Sequence, residues 1–189
     1  LQLIERQMNE FEVSKEMSGE GIKLLSIGRY CTAKNFDNIP NICSRILKHG
    51  IKITWYIIGF GGDEELIKQR IKEEQMESHV ILLGKKENPY PYIKACDIYV
   101  QPSRYEGNCV SVREAQAIGK PVIITAYSTA MSQLENNVDG VIIPLDNEKC
   151  AEGIVDFINN DKLRDSIKTT LQKKDYQKKQ EIEKIFAIF

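Results

Sequence analysis

Asp97-Ile-Tyr-Val-Gln-Pro-Ser-Arg-Tyr-Glu106-Gly-Asn-Cys-Val-Ser-Val-Arg-Glu114-Ala-Gln-Ala-Ile-Gly-Lys-Pro121-Val-Ile-Ile-Thr125 carries a complete structural unit. The apolar run over 97–101 is stopped by Pro102, residues 109–119 have helical spacing up to Gly119, and 121–125 is apolar again. Short apolar runs without strict alternation suit strands buried on both faces, the condition of a parallel sheet. The unit therefore predicts strand, loop, helix, strand.

The same alternation extends outward in both directions. Upstream, strands are expected at 22–27, 53–58 and 80–83, with helices over 37–49, 63–77 and 90–96. Downstream, a short helical turn at 131–135 precedes a sixth strand at 140–144. Repeated strand–helix–strand units predict an α/β fold, a doubly wound, Rossmann-like parallel sheet. Ligands of such sheets sit beyond the carboxyl ends of the strands, so chemistry is sought in the loops starting at Gly28, Gly59, Gly84, Pro102 and Thr125.

After Leu145 the spacing is helical, with Ala151, Ile154, Val155 and Ile158 on one face, then Leu163, Ile167 and Leu171. Residues 1–20 are polar and acidic and read as an interdomain connector, 21–172 as the domain, and 173–189 as a helical tail. The basic run at 173–179 is expected to be a solvated face, with a peripheral membrane contact as the alternative. The tip formed by Ile185, Phe186, Ile188 and Phe189 would dock on a further domain or dangle. Because the chain opens on Leu1 rather than Met, it is read as a piece of something longer.

Composition narrows the function. With 189 residues and 42% hydrophobic content, one domain plus flanking segments can bury a core. Basic and acidic residues nearly balance, 26 against 27, so no global field recruits nucleic acid, and any anion site must be local. Cys31, Cys43, Cys96, Cys109 and Cys150 are scattered without C-x-x-C spacing, which argues for a reducing cytoplasm and against a zinc or redox site. No long apolar span or signal peptide is visible, so a cytoplasmic location is expected, with the inner face of the cell membrane as a second station.

Three common nucleotide sites fail on their own residues. The first loop, Gly28-Arg-Tyr-Cys-Thr-Ala-Lys34, lacks the G-x-G-x-x-G fingerprint. Neither Gly84-Lys85-Lys86 nor Gly119-Lys120-Pro121 supplies the hydroxyl of a Walker loop. Acids are also missing at Ser26-Ile27-Gly28, where a phosphoacceptor domain needs them. What remains is an anion site made of side-chain cations and helix ends. Arg29 and Lys34 in the first loop are candidates, since guanidinium forks onto phosphate and ammonium meets it as a point charge.

Glu106 and Glu114 stand eight positions apart, but so do Glu12 with Glu20 and Glu65 with Glu73. Context separates the pairs. Glu106 falls in a loop at a strand end and Glu114 about two turns into the next helix, whose amides at Gly107, Asn108, Cys109 and Val110 would face an anion.

On these residues the chain, from about Ile22 to Ile158, resembles the retaining GT-B glycosyltransferases of the E-x7-E type. Gly28-Arg29 with Lys34 is similar to that family's diphosphate loop, Ser103, Glu106, Gly107 and Glu114 to its donor segment, and Asp139-Gly140 through Pro144 to its later strand. The resemblance implies the C-terminal, donor-binding half of a GT-B fold that takes a nucleotide-diphosphate sugar. In it Glu106 would contact the sugar, Glu114 the ribose, and Arg29 with Lys34 the departing diphosphate, with no metal or other cofactor. The base would lie near Gly59 and Gly84, and a glycan or lipid-linked acceptor would be bound by an N-terminal domain, in polysaccharide or glycan biosynthesis.

Asn108 and Cys109 depart from the family's usual aromatic and Gly or Pro, which bears on sugar identity. Cys109 is expected to be a small filler rather than an activated thiol, and His49 and His79 to be ordinary surface or cap residues. A sugar-nucleotide epimerase or phosphorylase is disfavoured by the E-x7-E context; a non-catalytic nucleotide-sugar-binding or interaction module stays as the alternative.

Overall fold

The computed structural model describes the backbone of residues 2–186 and the side chains of residues 4–173. Six strands, β1 (Ile22–Ile27), β2 (Ile53–Ile58), β3 (Val80–Gly84), β4 (Ile98–Gln101), β5 (Val122–Thr125) and β6 (Val141–Ile143), form one sheet in the order β3-β2-β1-β4-β5-β6. All five pairings are parallel. The helices are α1 (Gln2–Gln7), α2 (Ile39–Lys48), α3 (Glu64–Glu73), α4 (Tyr90–Ala95), α5 (Val110–Ala117), α6 (Ala130–Gln133), α7 (Asn147–Asn159) and α8 (Asp161–Phe186).

Successive strand residues serve opposite cores. Leu24, Trp55, Ile57, Val100 and Ile123 pack under α2, α3, α7 and α8, while Leu25, Tyr56, Ile58, Tyr99 and Ile124 pack under α4, α5 and α6. Helices cover both faces, which is why the strand runs lack a polar alternate. Ile4, Val13 and Met17 are buried in the second core, so residues 4–17 pack against the sheet-and-helix body. Lys86 donates to Glu16 at 2.5 Å, Tyr92 to Glu16 at 2.7 Å and Lys94 to Asn9 at 2.6 Å, pinning this segment to α4 and the loop before it.

The expected elements occur with shifted ends. The helix expected from 37 begins at Ile39, behind two 3₁₀ turns, Thr32–Lys34 and Phe36–Asn38, joined by left-handed Asn35 (φ 61°). That expected to reach 77 ends at Glu73, and Gln75 (φ 57°) turns the chain away. The helix of the quoted segment starts at Val110, which puts Glu114 about one turn inside it rather than two. Helix α8 crosses residue 172 without a break in the backbone, and Ile167 and Leu171 are buried in the first core. The apolar tip, and the basic run after its first residue, lie outside the residues whose side chains are described.

Register places the loops side by side. Ile27 pairs with Ile58 and Leu25 with Tyr99, so the exits at Gly28, Gly59 and Pro102 leave the sheet at one level. Strand order reverses between β1 and β4, the switch point where such sheets open a crevice.

Candidate functional site

Lys34 ends the first 3₁₀ turn and folds back over the tip of β1. A Cβ on Gly28 would lie 3.0 Å from Lys34 Cε, so glycine there lets the lysine stem lie flat. Its ammonium donates to Glu106 Oε1 at 2.5 Å, with the two side chains 18% and 9% exposed. The structure thus joins two of the expected residues across 72 positions of sequence.

Glu106 is aimed from beneath by a buried polar chain. Ser103 Oγ donates to Glu106 Oε1 (2.7 Å), Gln101 Nε2 to Ser103 Oγ (2.9 Å) and the Tyr99 hydroxyl to Gln101 Oε1 (2.8 Å). Every donor points toward the carboxylate, so the bonds polarise one another in its favour. Tyr99 also accepts from Ile27 N–H (3.3 Å) and shares a hydrogen bond with Ser111 Oγ (2.7 Å), which ties α5 to the same chain. At the end of β5, Thr125 Oγ1 donates to the Ser103 carbonyl (2.5 Å), and just before α6 Thr129 Oγ1 donates to the Glu106 carbonyl (2.6 Å). The loop after β4 is therefore held on both flanks.

Glu114 has other partners. The Tyr90 hydroxyl of α4 donates to its Oε1 at 2.8 Å; burial raises its carboxyl pKa above the ordinary value, and the Tyr90 bond partly opposes this. Of the amides expected to face an anion, that of Cys109 is already engaged, donating to Gln133 Oε1 at 2.8 Å. Gln133 Nε2 returns a bond to the Cys109 carbonyl (3.2 Å) and reaches Asn108 Oδ1 (3.4 Å). Gly107 has open space where a side chain would stand. Burial, and then the charge of Glu106, push the Cys109 thiol up, as for a packed filler.

Arg29 stands with Gly28 and Gly59 in a cleft of about 350 Å³, closed by Ile27, Ile58, Phe60, Lys85 and Lys86. Phe60 is 56% exposed, and Lys85 Nζ lies 5.5 Å above its ring. The β1 and β2 loops touch here: a Cβ on Gly59 would fall 1.9 Å from the Gly28 carbonyl oxygen. Gly84 (φ 70°) ends β3, and Gly59 N–H donates to its carbonyl at 3.0 Å. A second cavity of about 310 Å³, beside Asp97, Arg164 and Lys168, is at the amino ends of the strands, away from these loops. Among the described residues, no three His, Cys, Asp or Glu side chains gather around a common metal position. His79 Nδ1 lies 3.0 Å from the Ile53 carbonyl, a structural contact.

Sequence reasoning missed Phe60, Tyr90, Tyr99 and Gln101. Gln101 did leave a signal, a polar residue closing a strand whose other residues are apolar and completely buried itself. Tyr127, also missed, is 5% exposed and has a buried hydroxyl without a hydrogen-bond partner among the described residues.

A parallel sheet with its order reversed between β1 and β4 and helices on both faces is the α/β, Rossmann-like architecture of the GT-B glycosyltransferase fold. The family described as glycosyl transferases group 1 matches residues 7–174, and the chain belongs to it. It is 30% identical over 147 residues, 77% of its length, to the N-acetylgalactosamine-N,N'-diacetylbacillosaminyl-diphospho-undecaprenol 4-alpha-N-acetylgalactosaminyltransferase of Campylobacter jejuni, covering 40% of that protein. Among solved structures it resembles S. aureus TarM in complex with fondaparinux, alpha-GlcNAc-glycerol and UDP (TM-score 0.76, 22% identity, 84% of this chain and 32% of that one). It also resembles the C-terminal domain of the group 1 protein LpcC from Francisella tularensis (TM-score 0.71, 21% identity, 88% and 87%). The chain spans less than half the length of the curated relatives it matches. Among the described residues no helix is long and apolar enough to cross a membrane.

Proposed function

We propose that this chain is the donor-binding half of a retaining glycosyltransferase of the E-x7-E type, acting in polysaccharide or glycan assembly. The observation that carries the reading is the Lys34–Glu106 pair, held at the switch point beside the Arg29 cleft. Without donor, the cation meant for phosphate and the acid meant for sugar neutralise each other. A nucleotide-diphosphate sugar offers each a better partner: diphosphate to Lys34 and Arg29, sugar hydroxyls to Glu106. Glu114 takes the ribose hydroxyls, and Gly59, Phe60 and Gly84 border the base.

In transfer, the bond between the anomeric carbon and the diphosphate breaks with its electron pair leaving on phosphate oxygen, while the acceptor hydroxyl oxygen bonds to that carbon and gives its proton to the departing phosphate. Arg29 and Lys34 stabilise that charge where it develops, commonly the largest catalytic contribution. No metal is required in this scheme. The acceptor, a glycan or lipid-linked glycan, is bound by an N-terminal domain; the resemblance to the isolated C-terminal domain of LpcC supports that division. This chain on its own is expected to bind donor and transfer nothing, because the acceptor must be placed to within about an ångström.

Calorimetric titration of UDP-sugars and GDP-sugars into the wild type, Lys34→Ala and Glu114→Ala tests the reading. Saturable binding weakened by both substitutions is expected. Failure of every nucleotide sugar to bind would instead make the chain an interaction module.

A further inference from the structure

Lys34 sits on an intrinsically weak element. Two three-residue 3₁₀ turns joined by a left-handed Asn35 have no side-chain caps, and such turns are poorly bonded internally. The second turn is seated by Phe36, buried in the first core, and the first, which carries Lys34, is held from the loop after β4. Arg104 donates through Nη1 and Nη2 to Asp37 Oδ1 and Oδ2, both at 3.0 Å, and through Nη1 to the Thr32 carbonyl at 2.6 Å. Its backbone N–H donates to the Ala33 carbonyl at 2.8 Å, and Tyr105 N–H reaches the same oxygen at 3.3 Å. The guanidinium thereby grips the Lys34 turn on both sides, at Thr32 and at Asp37. The Arg104 and Asp37 side chains are 22% and 19% exposed, so the forked pair is shielded from water.

From this geometry we propose that Arg104 and Asp37 are positioning residues for the diphosphate site, setting Lys34 opposite Glu106 without touching donor themselves. The proposal rests on the donor reading for its ligand but not for its geometry. Arg104 immediately follows Ser103 and stands two before Glu106, so one short loop both aims the acid from below and anchors the lysine from the side. Loosening the clamp would let the Lys34 turn fray, weakening contacts to phosphate and leaving the base-side wall of the neighbouring cleft, at Gly59 and Phe60, in place.

The test uses uridine and UDP as probes on the whole chain, with Arg104→Ala, Asp37→Ala, Arg104→Lys, Lys34→Ala and the Lys34→Ala/Arg104→Ala double variant. Losing a hydrogen bond to a charged group predicts that Arg104→Ala and Asp37→Ala each weaken UDP by roughly 10-fold while uridine changes less than about 2-fold. Arg104→Lys, which lacks the planar fork, should not rescue. In the Lys34→Ala background Arg104→Ala should have no further effect on UDP, since the residue it acts through is gone. Full additivity would mean that Arg104 meets phosphate directly and would overturn the proposal; so would equal losses for uridine and UDP, which mark a general structural role. A ligand-free readout accompanies these, the rate at which acetic anhydride acylates Lys34, followed by peptide mass spectrometry against exposed Lys52. Arg104→Ala should raise the Lys34 rate several-fold and leave Lys52 unchanged, and an unchanged Lys34 rate sinks the proposal. If instead Lys34 reactivity rises while Lys34→Ala leaves UDP affinity intact, the clamp stands and the diphosphate reading fails.

Discussion

Glu106→Gln should separate affinity for a nucleoside diphosphate from affinity for its sugar ester. In the free protein Glu106 occupies the ammonium of Lys34 at 2.5 Å, and the side chains are only 9% and 18% exposed, so water screens the pair weakly. Unit charges about 4 Å apart attract by roughly 4 kcal/mol at an effective dielectric near 20. Desolvation offsets much of that, leaving a net worth of about 1–2 kcal/mol, or roughly 5- to 30-fold in an equilibrium. Under the proposed donor reading, a diphosphate must overcome this competition to recruit Lys34. Glutamine keeps the hydrogen bond from Ser103 but gives up the charge, so UDP should bind about 5-fold tighter, the lower end of that range because the amide oxygen still accepts weakly from Lys34. A UDP-sugar gains the same release but loses a charged acceptor for its hydroxyls, so its affinity should fall relative to UDP by roughly 10-fold. Isothermal titration of both ligands into the two proteins reads this directly. Equal weakening of UDP and UDP-sugar by Glu106→Gln would refute the competition argument, because it would make the carboxylate a mere structural support for the site.

Other substitutions probe the frame around that pair. In Glu114, burial raises the folded carboxyl pKa above its ordinary value of 4.5, so the folded chain holds this proton longer than the unfolded one. Stability from this group is therefore full below the ordinary value and is lost as pH rises through the raised one. Glu114→Gln should abolish that slope and raise the melting temperature at pH 7, while weakening donor; a lower melting temperature would show that the charge itself supports the fold. Gly59→Ala drives a Cβ to 1.9 Å from the Gly28 carbonyl oxygen, and backbone there cannot yield easily, so a loss of about 3 kcal/mol is expected in urea denaturation, with ordinary stability counting against the observed loop contact. Tyr127→Phe removes a buried hydroxyl that has no partner among the described residues, so stability should hold or rise by about 1 kcal/mol. A clear loss of stability would reveal a bond that this geometry lacks.

The sheet was readable because both of its faces are buried. Runs such as Ile53 to Ile58 contain no solvent-facing position, and every residue of that strand is buried, so strand identity survived the ambiguity that usually attends short apolar segments. Helix ends were less readable, since they are set by single backbone conformations such as left-handed Asn35 and Gln75 that composition does not announce. At the site, Lys34 and Glu106 could be nominated from their loops, and the parallel register then had to bring them together, because no local pattern encodes a contact across 72 positions. The supporting residues were out of reach for a different reason. Tyr99 and Gln101 act by handing one hydrogen bond to the next, toward Ser103, and Arg104 with Asp37 by spanning two loops, so their roles exist only once several strands are side by side. Sequence pattern thus nominates groups that would touch a ligand, whereas the groups that aim them become visible only through tertiary geometry. For that reason the variants most informative about this site are those at the aiming residues, where a loss of function cannot be ascribed to a missing contact with substrate.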